Sequence, residues 1–208
     1  MAIQNRYCMH GVLRLKRQTL NTPQCLTGEM DLSRGKSIFL LSPILNMFGF
    51  LNPFRSQPQF PFKRNDGGRE SAGFKGGAGD CVVRSIAIAS GLPYMQVYED
   101  LRSANARYAD LRNDKLARRL IQTGSSPRNG NHRNVFHDYI LDLGFEWVPT
   151  MKVGAGCQVH LRPNELPAGV LIVKVSKHLT AIINGEIQDT HDPSRGGNRC
   201  VYGYYRKK

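Results

Sequence analysis

Asn184-Gly185 stands between two short runs, 179–183 and 186–190, that read as β-strands. Both central residues of a two-residue Asn-Gly turn take left-handed backbone, which matches the twist of paired antiparallel strands. The pair therefore predicts a hairpin and fixes its register. Ile183 opposes Glu186, Thr180 opposes Asp189, and His178 opposes His191. Side chains alternate between faces, so His178, Thr180, Asp189 and His191 share one face, with Asp189 diagonal to His178 and within reach of its imidazole. Asp192 falls on the other face unless a bulge or the strand end re-aims it.

Two more strands are expected around the hairpin, at 170–175, which is β-branched and apolar, and at 200–205. Upstream the period changes to that of helices. Asp80 is placed to cap a helix that runs to about Ser90 and stops at Gly91. Pro93 opens a second helix with Met95, Val97, Tyr98 and Leu101 toward the core, continuing past Leu111, Leu116 and Leu120 to about Thr123. After a polar loop at 124–132, Asn134 caps a third helix over 135–143, with Phe136, Tyr139, Ile140 and Leu143 at helical spacing and Gly144 as its stop. Helices first and an antiparallel sheet afterwards predict an α+β domain.

Residues 1–75 have little periodicity, and Pro53, Pro58 and Pro61 lie in a polar, aromatic-dotted stretch. They read as a poorly structured basic extension, with the folded domain at 76–208. The apolar residues of 37–54 are interrupted by Pro43, Asn46, Gly49, Asn52 and Pro53, too broken for a membrane span. They lie too far from Met1 for a signal peptide. No transmembrane span is expected. The chain carries a net charge of +13, which is +7 over residues 1–75 and +6 over the rest. Such a surplus meets nucleic acid readily but specifies none, since no RNA-binding motif or zinc-finger spacing accompanies it.

Five cysteines, at positions 8, 25, 81, 157 and 200, are widely scattered and odd in number. They predict no disulfide framework and a reducing, cytoplasmic setting. Cys81 is the one with a chemical address. It follows the approach Gly76-Gly77-Ala78-Gly79-Asp80 and opens an apolar helix. A helix N-terminus favours a thiolate through its dipole and free N–H groups. Gly79 and its neighbours can bring a substrate backbone close and leave N–H groups for an oxyanion hole with the Cys81 amide. Asp80 opposes this, because a carboxylate beside a thiol raises its pKa unless it turns away. The chain order of Cys81, His178 and then Asp189 or Asp192 is that of a nucleophile, a base and an orienter.

Other polar clusters are weaker. Cys157 and His160 have a metal-like spacing but lack a second pair, and a structural zinc needs four ligands. No metal or cofactor is expected. His132 and His137 read as loop and helix-surface residues, Trp147 as core, and 194–197 as a turn with a basic tip.

The run Gly79-Asp80-Cys81-Val82-Val83-Arg84-Ser85-Ile86, with Tyr94, Val97 and Tyr98 after it, resembles the nucleophile helix of small papain-like cysteine peptidases from bacterial and phage genomes. His178 through Gly185, then Asp189-Thr190-His191-Asp192-Pro193, resembles their histidine-to-aspartate hairpin, and 199–204 fits the same pattern. The resemblance covers about 77–207. It implies a papain-like fold with Cys81 as nucleophile, His178 as base and Asp189 or Asp192 as orienter. In the double-glycine leader peptidases, distant members of the fold, the orienter precedes a proline, which selects Asp192. Lys75 stands six residues before Cys81, near where papain-like enzymes usually place an oxyanion glutamine, and Gln158 has no evident route to the site.

The expected function is a cysteine hydrolase, a peptidase or amide-bond transferase, acting on a peptide or protein. The alternative is a catalytically weak or inactive module of the same fold that engages nucleic acid or an acidic partner through its basic surface.

Overall fold

The computed structural model describes residues 57–208. The apolar segment 37–54, Cys8 and Cys25 lie outside them. Among the described residues the architecture is α+β: four α-helices and a six-stranded mixed sheet. The strands are β1 (Phe62–Arg64), β2 (Phe145–Pro149), β3 (Val170–Val175), β4 (His178–Ile183), β5 (Glu186–Asp189) and β6 (Val201–Lys207), in the order β1-β5-β4-β3-β6-β2. The helices are α1 (Cys81–Ser90), α2 (Tyr94–Leu111), α3 (Lys115–Thr123) and α4 (Arg133–Asp142). Among the described residues, no helix is long and apolar enough to cross a membrane.

The hairpin has the register of a two-residue turn: Ile183 pairs with Glu186, Ile182 with Ile187 and Ala181 with Gln188. Asn184 (φ 50°) and Gly185 (φ 81°) both take left-handed backbone, as that turn requires. Apolar residues on both faces bury β3 and β4 from two sides. Ile172 and Ala181 join Val83, Ile86, Leu101 and Phe136 in the core beneath the helices. Leu171, Val173, Ile182 and Ile187 pack on the opposite side against Phe60 and Leu161.

Several elements differ from expectation. The sheet is mixed rather than antiparallel, because β1 pairs in parallel with β5. Phe60 is buried, the Ile187 N–H bonds the Pro61 carbonyl, and Phe74 packs against Tyr94 and Tyr98. The expected boundary at residue 76 therefore falls inside a structured unit. The long second helix is two, since the Asp114 side chain accepts from the Ala117 N–H and starts α3. His132, not Asn134, occupies the N-cap position of α4. Met95 is exposed and Tyr94 is buried in its stead.

The cysteine expectation fails at one pair. Cys157 and Cys200 form a disulfide, which leaves Cys81 as the free cysteine among the described residues. The spacing of Cys157 and His160 is thus not that of a metal pair. His160 lies between Cys157 and Glu165, with Nε2 3.6 Å from the disulfide-bonded Cys157 sulfur and Nδ1 3.1 Å from Glu165 Oε2. This disulfide removes the premise of unpaired cysteines on which the expectation of a reducing, cytoplasmic setting rests.

Candidate active site

Cys81 is the first residue of α1, and its thiol packs half-buried against β4. It shares its cleft with the His178 imidazole and Leu179, both of which act to lower its pKa. His178 begins β4 and Asp189 ends β5, so both lie at strand ends that the start of α1 can reach. His178 Nε2 stands 2.6 Å from Asp189 Oδ2. That contact leaves Nδ1 as the nitrogen for the thiol and makes Nε2 the N–H donor to the carboxylate.

Burial by itself would push the Cys81 thiol up, but the bond to His178 and its positive charge, the Leu179 N–H and the Arg84 charge outweigh it. The thiol therefore titrates below its usual range. Burial would likewise push His178 down, yet its bonds to Asp189 and Cys81 and their charges raise it to about 9. Asp189 is lowered: burial acts against its charge, and the His178 bond, the charges of His178 and Arg84 and the Thr190 N–H prevail. The two shifts run in opposite senses and both favour a thiolate beside an imidazolium.

Asp80 is fully buried and does not cap α1. Its carboxylate turns to Arg84 Nε at 3.1 Å, the Tyr94 hydroxyl at 2.7 Å and Arg69 Nε at 3.3 Å. The acid beside the nucleophile is thereby matched by two guanidinium groups, and the first-turn N–H groups of α1 have no side-chain acceptor. The Gly79 N–H is not among the free donors, since it bonds the Arg128 carbonyl at 2.9 Å. A Cβ at Gly79 would come within 3.2 Å of that carbonyl, so this glycine serves close packing against the 128–130 loop.

Of the two candidate orienters, Asp189 contacts the histidine and Asp192 does not. Asp192 accepts from the Ser194 N–H at 2.8 Å and the Ser194 hydroxyl at 2.9 Å, which closes its own turn. The hairpin register, rather than the proline-adjacent position, predicts the contact.

The chain matches no family model, no curated protein and no solved structure.

Arg84 was not among the sequence candidates. One turn beyond Cys81 within an apolar helix, it reads as a residue reaching for solvent, yet it is buried between Asp80 and Asp189. Its i,i+4 spacing from Asp80 was the available signal. The site opens to a cleft of about 670 Å³ lined by Cys81, His178, Arg133, Lys174 and Lys177 among others. His132 lines it too, whereas His137 bonds the Tyr205 hydroxyl at 2.8 Å and Trp147 packs on the Tyr205 ring.

Proposed function

We propose that this chain is a papain-like cysteine hydrolase that cleaves or transfers an amide bond of a peptide or protein. The observation that carries the reading is that Cys81, at the start of α1, lines one cleft with His178, whose Nε2 is held 2.6 Å from Asp189 Oδ2. The layering, with the thiol on a helix and the histidine on the sheet beneath it, supports the papain-like assignment.

The Cys81 thiolate attacks the carbonyl carbon and forms a C–S bond. The carbonyl π electrons move to oxygen, where the Cys81 amide and its neighbours in the first turn are the available donors. His178 gives its Nδ1 proton to the leaving nitrogen, the C–N bond breaks, and a thioester remains. His178 then takes a proton from water, the hydroxide attacks the thioester, and Cys81 leaves as a thiolate. In transfer, an acceptor amine replaces water. Asp189 keeps the imidazole in the tautomer and orientation that both halves need.

p-Nitrophenyl acetate tests the reading without knowledge of the substrate. One equivalent of nitrophenolate should be released in a burst, with an acetyl group found on Cys81 by mass spectrometry. The burst should vanish in Cys81→Ala and slow strongly in His178→Ala. Acetylation spread over lysines, with no burst, would remove the reading.

A further inference from the structure

The cleft beside Cys81 carries one sign of charge. Arg133, Lys174 and Lys177 line it, and no aspartate or glutamate does. None of the three forms a salt bridge among the described residues. Lys174 is the telling one. It is half-buried in β3, a central strand of the sheet, where both burial and the nearby Arg133 work against its charge. A cation held in such a place without a partner costs stability that an apolar residue would not. Arg133 compounds the imbalance, since it opens α4 at the end where a helix favours anions, and that turn holds no acidic residue. Arg133 is also fixed, its guanidinium lying 4.5 Å over the Trp147 ring. Lys177 projects from the turn just before His178, with its backbone left-handed at φ 57°. Three cations on three separate elements thus face one cleft around one thiol.

We propose that the cleft takes an acidic peptide segment, with glutamate or aspartate carboxylates of the substrate seated on Lys174, Arg133 and Lys177 beside the bond presented to Cys81. This rests on the cysteine-hydrolase reading above. A peptide is favoured over a nucleic acid because the cations share their cleft with a carbonyl-directed nucleophile, and its apolar lining, Val82, Leu116 and Phe136, suits side chains between carboxylates.

Alkylation of Cys81 by iodoacetamide, followed by mass spectrometry, reports both ideas. Tetraglutamate should slow alkylation, and tetraglutamine and tetralysine should not. Each ion pair is expected to contribute up to about fivefold in affinity at low salt. Raising the salt should relieve the protection. Lys174→Met and Lys177→Asn should each weaken it, measured as the ratio of protected to unprotected rates within one variant. Lys177→Asn tolerates the left-handed backbone, so it remains informative if Lys174→Met folds poorly. A fast Cys81 with equal protection by tetraglutamate and tetraglutamine overturns this inference alone. Protection by an oligouridylate of equal charge, and not by tetraglutamate, overturns it in favour of a nucleic acid. A wild-type Cys81 that alkylates no faster than free cysteine removes the hydrolase reading, on which this one depends.

Discussion

Arg84 Nη1 lies 2.7 Å from Asp189 Oδ1, and the same guanidinium holds Asp80 one helical turn back through Nε at 3.1 Å. One buried cation therefore links the acid beside the thiol to the acid behind the histidine. The Thr190 hydroxyl accepts from the same Nη1 at 2.8 Å, and the Thr190 N–H donates to Asp189 Oδ1 at 2.7 Å. With Oδ1 occupied in this way, Oδ2 is left to His178.

Breaking this bridge from the cationic side leaves two buried carboxylates short of a partner. Removing one member of a buried pair costs about 3–5 kcal/mol. Arg84→Met is expected to lose an amount in that range in urea unfolding. Arg84→Lys should recover only part, since an ammonium lacks the fork that spans both acids. Adding Asp80→Asn to Arg84→Met should restore some stability by removing one orphaned charge. A loss below about 1 kcal/mol would show that water reaches the network and that Arg84 is not its keystone.

Asp189 and Asp192 make a paired test of orientation. Asp189→Asn keeps the shape but presents an amide that can hold the wrong imidazole tautomer, and in a hydrolytic triad that costs on the order of 10⁴ in turnover. Here the p-nitrophenyl acetate burst rate should fall at least about a hundredfold, by the same reasoning with a less demanding ester. Asp192→Asn loses only turn contacts to Ser194, and its burst should stay near wild type. The opposite ranking would transfer the orienting role to Asp192.

The hairpin was legible because one local rule governed it. Asn184-Gly185 set the register, the register set the diagonal, and the diagonal selected Asp189. The start of α1 was legible for a similar reason, as an apolar run opening after a glycine-rich approach. Less local features were not. β1 is three exposed residues without alternation, and it exists because the edge of β5 offers a partner. Cys157 and Cys200 lie 43 residues apart, a separation that carries no motif. Arg84 needed tertiary knowledge, since nothing near it in sequence tells that Asp189 comes to meet it.

The titrations predict two pH signatures. His178 has a folded value of about 9, above its ordinary 6.5. Its interactions therefore contribute full stability below about pH 6.5, and the contribution is lost as pH rises through about 9. Asp189 is depressed below 3.8, so its contribution is present above that value and is lost as pH falls through the lower folded one. Thermal midpoints should hold a plateau between these limits, and Asp189→Asn should move the alkaline decline to lower pH. Iodoacetamide should react with Cys81 well below the pH at which it reacts with free cysteine. His178→Ala should move that limb upward, because the bond and charge that lower the thiol are gone. Coincident limbs in wild type and His178→Ala would break the thiolate–imidazolium pairing.

The disulfide secures the side of the sheet away from the helices. It joins Cys200 to Cys157, and backbone bonds run alongside from Leu161 N–H to the Arg199 carbonyl and from Val201 N–H to the Val159 carbonyl. Leu161 and Leu166 from this strap cover Leu171, Val173 and Ile187. Closing a loop of 43 residues removes denatured-state entropy worth about 4 kcal/mol in the chain-entropy account. A Cys157→Ser/Cys200→Ser variant should thus unfold at distinctly lower urea, as should the reduced wild type. Cys81 should keep its fast alkylation in the folded variant, because His178 and Asp189 are held by the hairpin and by Arg84 rather than by the strap. Equal urea midpoints for oxidised and reduced protein would mean that the backbone bonds and Leu161 hold the strap without the covalent link.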